Sequence, residues 1–228
     1  MSTVYNEGFY RAQKDGSYNS ARIVIPIVKE YVSPKTVIDV GCGLGTWLAV
    51  WEKEGAEIQG YDGSYVKKDM LYIPREKFRA VDLSEDTIEA ESRVDLAMSR
   101  EVAEHLPAAR AEFFVRNLTE LSDVVLFSAA IPYQGGTNHI NEQWQSYWAN
   151  FFAKEGYVPV DCIRPRIWWE SVVLCYVQNT LIYVKEDCLP NYPALRDYYA
   201  SHKDSTTLDL VHPATWQLTM KHLEGKGE

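Results

Sequence analysis

One segment constrains this chain more than any other. It reads Val37-Ile38-Asp39-Val40-Gly41-Cys42-Gly43-Leu44-Gly45-Thr46. A short apolar run passes into three glycines at alternate positions, and a helical run, Leu44 to Glu54, follows. Glycine lets the backbone turn tightly and approach a ligand with no Cβ in the way. The free N–H groups that open the next helix receive anions or other acceptors. The segment therefore predicts a strand, a ligand-cradling turn and a helix. Its plainer alternative is a glycine-rich turn that holds nothing. The dinucleotide fingerprint is G-x-G-x-x-G, whereas the glycines here are Gly41, Gly43 and Gly45. Asp39 would also repel a pyrophosphate, while it suits an amino group or a sulfonium. Both features disfavour a dehydrogenase.

The rest of the chain alternates short strand-like runs with helical ones. Ala21 to Val32 reads as an amphipathic helix that Pro34 ends. Strands are predicted over Thr36–Val40, Glu57–Tyr61, Phe78–Val81, Val94–Ser99 and Val124–Ser128. Helices are predicted over Ala108–Leu121 and Asn141–Lys154. Ser171–Tyr176 and Asn179–Val184 are rich in β-formers and predict an antiparallel hairpin at the end of the sheet. Alternation of this kind implies an α/β fold, with a mostly parallel sheet covered by helices on both faces. Ligands in such sheets bind beyond the carboxyl ends of the strands.

Composition excludes several classes. The 228 residues carry a net charge of −9 with no basic stripe, which speaks against nucleic acid as a partner. No apolar run is long enough to span a membrane. The polar, aromatic start lacks the layout of a secretory signal. Cys42, Cys162, Cys175 and Cys188 form no CxxC pair, so we expect no zinc site and a reduced, cytoplasmic protein. With no linker or repeat, the expectation is one domain: an N-terminal helix and lid (1–35), a core (36–185) and a tail (186–228). Nothing in the sequence sets an oligomeric state.

The glycine segment resembles the S-adenosylmethionine (SAM) motif of class I methyltransferases. That resemblance covers residues 36–130 at motif level. It implies a Rossmann-like, seven-stranded sheet whose last strand is antiparallel. It implies that Asp39, Gly41, Cys42, Gly43 and Gly45 line the cofactor. Asp62, followed by Gly63, would accept the ribose hydroxyls. Asp82 and Leu83 would hold the adenine. Ser99, Arg100, Glu101 and Val102 would lie near the methyl group. More loosely, Phe127 to Pro132 and Gly135 to Trp144 resemble bacterial methyltransferases of polysaccharide and natural-product pathways. That implies a small-molecule acceptor, a saccharide or pathway metabolite methylated on oxygen. N-methylation of an amino sugar or amine is the alternative, and a SAM-binding sensor or scaffold without catalysis is the alternative of another class.

An acceptor hydroxyl needs a base, and histidine titrates near neutral pH. His139 and His105 follow strands at the ligand edge and are the candidates, each with a structural role as its alternative. His202, His212 and His222 read as surface or packing residues. Glu101, Glu104 and His105 stand at i, i+3 and i+4, which places them on one face of a helical turn. With His139 they form a ligand set for Mg²⁺ or another divalent ion. The pattern resembles the metal-dependent O-methyltransferases of ubiquinone synthesis and the small-RNA 3′-end methyltransferases; the alternative is a solvated acidic turn. Arg164 and Arg166 beside Trp168 and Trp169 predict a lid for an acidic or sugar-bearing acceptor. The alternative puts the arginines on the surface and the tryptophans in the core. Tyr10, among Tyr5, Phe9, Gln13, Tyr18 and Ser20, predicts an aromatic flap over the sulfonium or simple packing on the sheet.

Overall fold

The computed structural model describes residues 7–88, 90 and 92–224, with side chains from residue 16 onward apart from that of His222. Tyr5 lies outside the described residues, as do the side chains of Phe9, Tyr10 and Gln13. In chain order the elements are α1 (Glu7–Tyr31), β1 (Thr36–Val40), α2 (Thr46–Lys53), β2 (Glu57–Asp62), β3 (Phe78–Ala80), β4 (Leu96–Arg100), α3 (Ala111–Leu121), β5 (Val124–Ser128), α4 (Gln145–Lys154), β6 (Tyr157–Val160), α5 (Arg164–Ile167), α6 (Leu174–Asn179), β7 (Leu181–Lys185), α7 (Pro193–His202) and α8 (Pro213–Glu224).

The seven strands form one sheet in the order β3-β2-β1-β4-β5-β7-β6. Only β7 runs against its neighbours. Period-two alternation sends Val124 and Leu126 of β5 to one face and Val125 and Phe127 to the other. On the first face, α1, α2 and α7 cover the sheet, with Val24, Val28, Trp51 and Leu195 buried among them. On the second face, α3 and α4 bring Phe114, Leu118, Trp148 and Phe152 onto Phe127 and Tyr183. Burial on both faces explains why these strands read as near-continuous apolar runs.

The expected hairpin is corrected. Ser171–Tyr176 is a turn leading into α6, and the partner of β7 is β6, which periodicity did not mark. Val172 and Val173 are β-formers, but no ladder runs beside them, and packing overrides so weak a propensity. Pro159 hid β6, because proline cannot donate to a ladder and fits only an edge strand, which β6 is. The helix expected from Asn141 begins only at Gln145, and α1 starts well before Ala21.

Tyr157 starts β6 and points its hydroxyl at the carbonyls of Thr119 (2.9 Å) and Ser122 (2.6 Å), where α3 ends. Tyr157→Phe should therefore cost about 1–2 kcal/mol by removing the one O–H donor these carbonyls share, although the Thr119 carbonyl keeps Arg93. Urea unfolding with an unchanged m-value would measure it; a loss near zero would show the bonds to be idle.

Candidate active site

The carboxyl ends of β1, β2 and β4 converge where the strand order reverses, the usual ligand position in such sheets. A cavity of about 900 Å³ opens there. One half is built by the glycine turn. Gly41 and Cys42 donate their N–H groups to the Tyr61 carbonyl (2.7 and 3.1 Å), which ties the turn to the end of β2. Gly41 has φ +81°, and a Cβ placed on it would stand 2.2 Å from Val102 Cγ2. Gly43, at φ +55°, meets nothing within 4 Å and lines the cavity. The first glycine is thus required by protein packing and the second leaves room for a ligand. Cys42 turns its thiol away, against Gly60.

Asp62 knots the turn to β2. Its Oδ2 accepts the Gly43 N–H (2.6 Å), and its Oδ1 accepts the Gly63 N–H (2.6 Å) and the Tyr65 hydroxyl (2.5 Å). Burial raises its pKa, against these donors. Asp82, at the rim with Leu83, accepts the N–H and hydroxyl of Ser84, both on Oδ1 (3.0 and 2.5 Å). Those bonds hold its pKa below the ordinary value. Asp39 is fully buried and is not among the lining residues; it is paired with Arg100, whose Nη2 lies 2.5 Å from Asp39 Oδ2. Arg100 lines the cavity and lies over the Trp47 ring at 3.8 Å. Burial pushes the Asp39 carboxyl up while Arg100 pulls it down. Asp39 Oδ1 and Arg100 Nε have no hydrogen-bond partner.

The other half of the cavity is ionisable. After β4, Glu101 takes a left-handed φ of 54°, and residues Ala103–His105 make a 3-10 turn. Glu104 is completely buried, and neither of its carboxylate oxygens has a close hydrogen-bond partner. Burial, and then the charge of Glu101, raises its pKa well above the ordinary value, against the backbone N–H groups of Glu104 and Ala130. His139 brings Nε2 to 4.0 Å from Glu104 Oε1, and its ring meets that of His105 edge-on at 4.8 Å. Burial and His139 lower the pKa of His105, whose ring hydrogen-bonds the backbone of Asn138. Glu104, His105 and His139 offer ligand atoms within 4.8 Å of one another. Glu101, the fourth expected ligand, is held elsewhere: Asn179 donates to it at 3.1 Å and Gln134 at 3.1 Å.

The Arg–Trp group does not reach the cavity. Arg164 is buried and donates Nε and Nη2 to Asp161 (2.9 and 2.7 Å), and Nη1 to the Leu208 carbonyl (2.8 Å). It pins the chain before α8. Arg166 pairs with Glu30 at the surface (2.9 Å). Trp168 packs against His212, and Trp169 is 78% exposed. Arg164→Ala should lower the melting temperature by several degrees, because it strands the Asp161 charge. Arg166→Ala should barely move it. Neither should alter the affinity for S-adenosylhomocysteine, the demethylated cofactor; a tenfold loss in a titration would return these arginines to the site. Sequence reasoning passed over Ser17, Gln134, Cys175 and Tyr176, which line the cavity from α1, a loop and α6. They carry no motif, and only folding brings them there.

A parallel sheet with one reversed strand, a glycine turn after β1 and carboxylates at successive strand ends define a class I, SAM-dependent methyltransferase. Residues 12–153 match the family model described as a methyltransferase domain, and the chain belongs to that family. No curated protein matches the sequence. Among solved structures, it is similar to magnesium protoporphyrin IX methyltransferase from Synechocystis PCC 6803 with bound SAM. Identity is 15%, the TM-score is 0.54, and the match covers 81% of this chain and 87% of that one. DesVI of Streptomyces venezuelae matches at 12% identity and TM-score 0.57, over 81% and 98% of the chains. The methyltransferase domain of a bacterial CtHen1 matches at 24% identity and TM-score 0.51, over 73% and 98%. At these identities the likeness establishes the fold. Among the described residues, no helix is long and apolar enough to cross a membrane.

Proposed function

We propose that this enzyme methylates a hydroxyl of a small molecule, a saccharide or pathway metabolite, and that Glu104, His105 and His139 hold a divalent cation beside that hydroxyl. One observation carries the reading: a fully buried carboxylate whose oxygens have no close hydrogen-bond partner lies 4.0 Å from His139 Nε2, and the ligand atoms of Glu104, His105 and His139 all fall within 4.8 Å of one another. Leaving a charge buried and unpaired is costly, and a cation between these three residues removes that cost. Each ring also has a partner on its outer side, Asn138 for His105 and Glu142 for His139, which aims the remaining nitrogen at the cluster. Two imidazoles and one carboxylate suit Mn²⁺, Fe²⁺ or Co²⁺ better than Mg²⁺, which prefers an all-oxygen shell. The cation, when bound, lowers the pKa of a hydroxyl placed on it.

The residues of the other half fit the cofactor. Gly43 offers an open cradle, and Arg100, which lines the cavity, has a buried Nε without a partner, a donor that suits the carboxylate of an amino acid. Asp62 has used three of its roughly four lone-pair sites on protein donors. A ribose hydroxyl therefore takes the place of the Tyr65 hydroxyl or the last free site. SAM supplies an electrophilic methyl group; the protein aligns the acceptor and excludes water. Glu104 also fits an ammonium ion directly, and that favours N-methylation of an amine as the second reading.

The experiment is transfer from labelled SAM to matched sugar alcohols, amino sugars and their nucleotide conjugates, with EDTA and then with Mn²⁺ restored. Transfer to hydroxyls that stops in EDTA and returns with Mn²⁺ is the expected result. Full activity in EDTA removes the cation and leaves His139 as the base. Transfer to amines alone removes the hydroxyl reading.

A further inference from the structure

We infer that Glu142 is a positioning residue: it locks His139 in the tautomer whose bare nitrogen, Nε2, faces Glu104. Glu142 stands three residues after His139 and is not among the cavity-lining residues. Its Oε2 accepts the Tyr133 N–H at 2.8 Å. Its Oε1 accepts the Gly135 N–H at 2.8 Å and lies 2.9 Å from His139 Nδ1. Both oxygens already receive backbone N–H groups, so both act as acceptors. An acceptor opposite Nδ1 puts the imidazole proton on Nδ1. In a neutral ring Nε2 then keeps its lone pair, and Nε2 is the atom 4.0 Å from Glu104.

The same carboxylate shapes the loop that carries the histidine. Tyr133, Gly135 and Asn138 all have positive φ (66°, 73° and 60°), which is costly at Tyr133, and its N–H bond to Glu142 helps to hold that conformation. Gly136 is required by close approach: a Cβ there would stand 2.3 Å from His139 Nε2. The ring is thus pressed between the backbone of Gly136 and the carboxylate of Glu142. From the far side, the Glu104 carbonyl accepts the N–H groups of Ile140 and Asn141 (2.9 and 3.0 Å), so the loop is tied to the turn that holds the other two members of the cluster.

This assignment deepens the cation reading above, and its test separates the two. Long-range ¹H–¹⁵N spectra of the metal-free protein at a pH where His139 is neutral, assigned with His139→Gln, report which ring nitrogen carries the proton. The wild type should show a protonated Nδ1 and a bare Nε2. In Glu142→Gln, the ring meets either the amide oxygen or the amide nitrogen, each at the loss of one backbone N–H bond, from Tyr133 or from Gly135, so the two tautomers should mix. Mn²⁺ affinity by calorimetry should fall roughly 10–100-fold, the usual effect of losing a ligand's outer partner. Affinity for S-adenosylhomocysteine should stay within about twofold if the loop remains folded, a change small against one tenfold step of binding energy. A wild-type ring protonated on Nε2 overturns the assignment without any variant. So does a Glu142→Gln protein with an unchanged tautomer and unchanged Mn²⁺ affinity. A wild type that keeps the Nδ1 proton yet binds no Mn²⁺ sinks the cation and upholds Glu142 as the residue that orients His139.

Discussion

Glu104→Gln should stop methyl transfer and at the same time make the metal-free protein more stable. The side chain is completely buried, and neither oxygen has a close hydrogen-bond partner. Glutamine keeps the shape and removes the charge. Loss of an acid–base group or a cation ligand from the reacting site costs about 10²–10⁴ in rate. The stability gain is the free energy the wild type spends to ionise this buried carboxyl, about 1.4 kcal/mol for each tenfold change in its proton affinity, because the amide itself stays as poorly partnered as the acid. For a chain of this length, each kcal/mol moves the melting temperature by roughly 2–4 °C. The gain depends on pH. Burial raises the folded pKa of Glu104 above its unfolded value of 4.5. The native state therefore holds the proton more tightly, and the wild type is favoured most below that value. It loses this stability as pH rises through the folded pKa. Melting curves of both proteins in EDTA should coincide near pH 4 and separate as pH rises, the variant melting higher. An inactive variant that melts lower at neutral pH would mean that the carboxylate has a donor in solution.

Two glycines two residues apart should fail in different ways. Gly41→Ala drives a methyl into Val102 at 2.2 Å from a left-handed backbone. The left-handed conformation costs roughly 1–2 kcal/mol for any other residue, and overpacking adds about 1–3. A loss of up to about 5 kcal/mol is enough to leave such a chain largely unfolded. Gly43→Ala bears the backbone cost alone, because its methyl enters open space. It should fold, melting a few degrees lower. That space is the proposed cofactor cradle, so affinity for S-adenosylhomocysteine should fall about 10–100-fold, equivalent to 1–3 kcal/mol of steric cost. Calorimetry on Gly43→Ala decides the matter: wild-type affinity in a folded variant would move the cofactor away from the turn.

The glycine segment was legible because its chemistry is local. A buried strand, a turn that only glycine enters and a helix start occupy ten consecutive residues, and no distant contact is needed to recognise them. Glu101, Glu104 and His105 were legible as a group for the same reason, since spacing places them on one turn. The structure keeps Glu104 and His105 together and brings the expected His139 to them from beyond β5. It diverts Glu101 to Asn179 and Gln134, residues 78 and 33 positions away. Arg164 looked like an anion clamp by composition, yet its partners are Asp161 and carbonyls of the segment before α8. A guanidinium pairs with whatever acceptor the fold brings to it, and spacing cannot reveal that acceptor.

What the sequence determined on its own is the α/β layout and the cofactor turn, because period, glycine geometry and strand ends are properties of neighbouring residues. What the tertiary structure alone decided is which polar groups are left without partners. β6 became a strand because an edge was open to a proline, and Ser171–Tyr176 did not because no ladder lay beside it. Glu142 reaches His139 only because a loop with three left-handed residues folds over it. Burial and pairing arise from segments that meet across long separations, and the free energy of a buried charge depends on all of them at once.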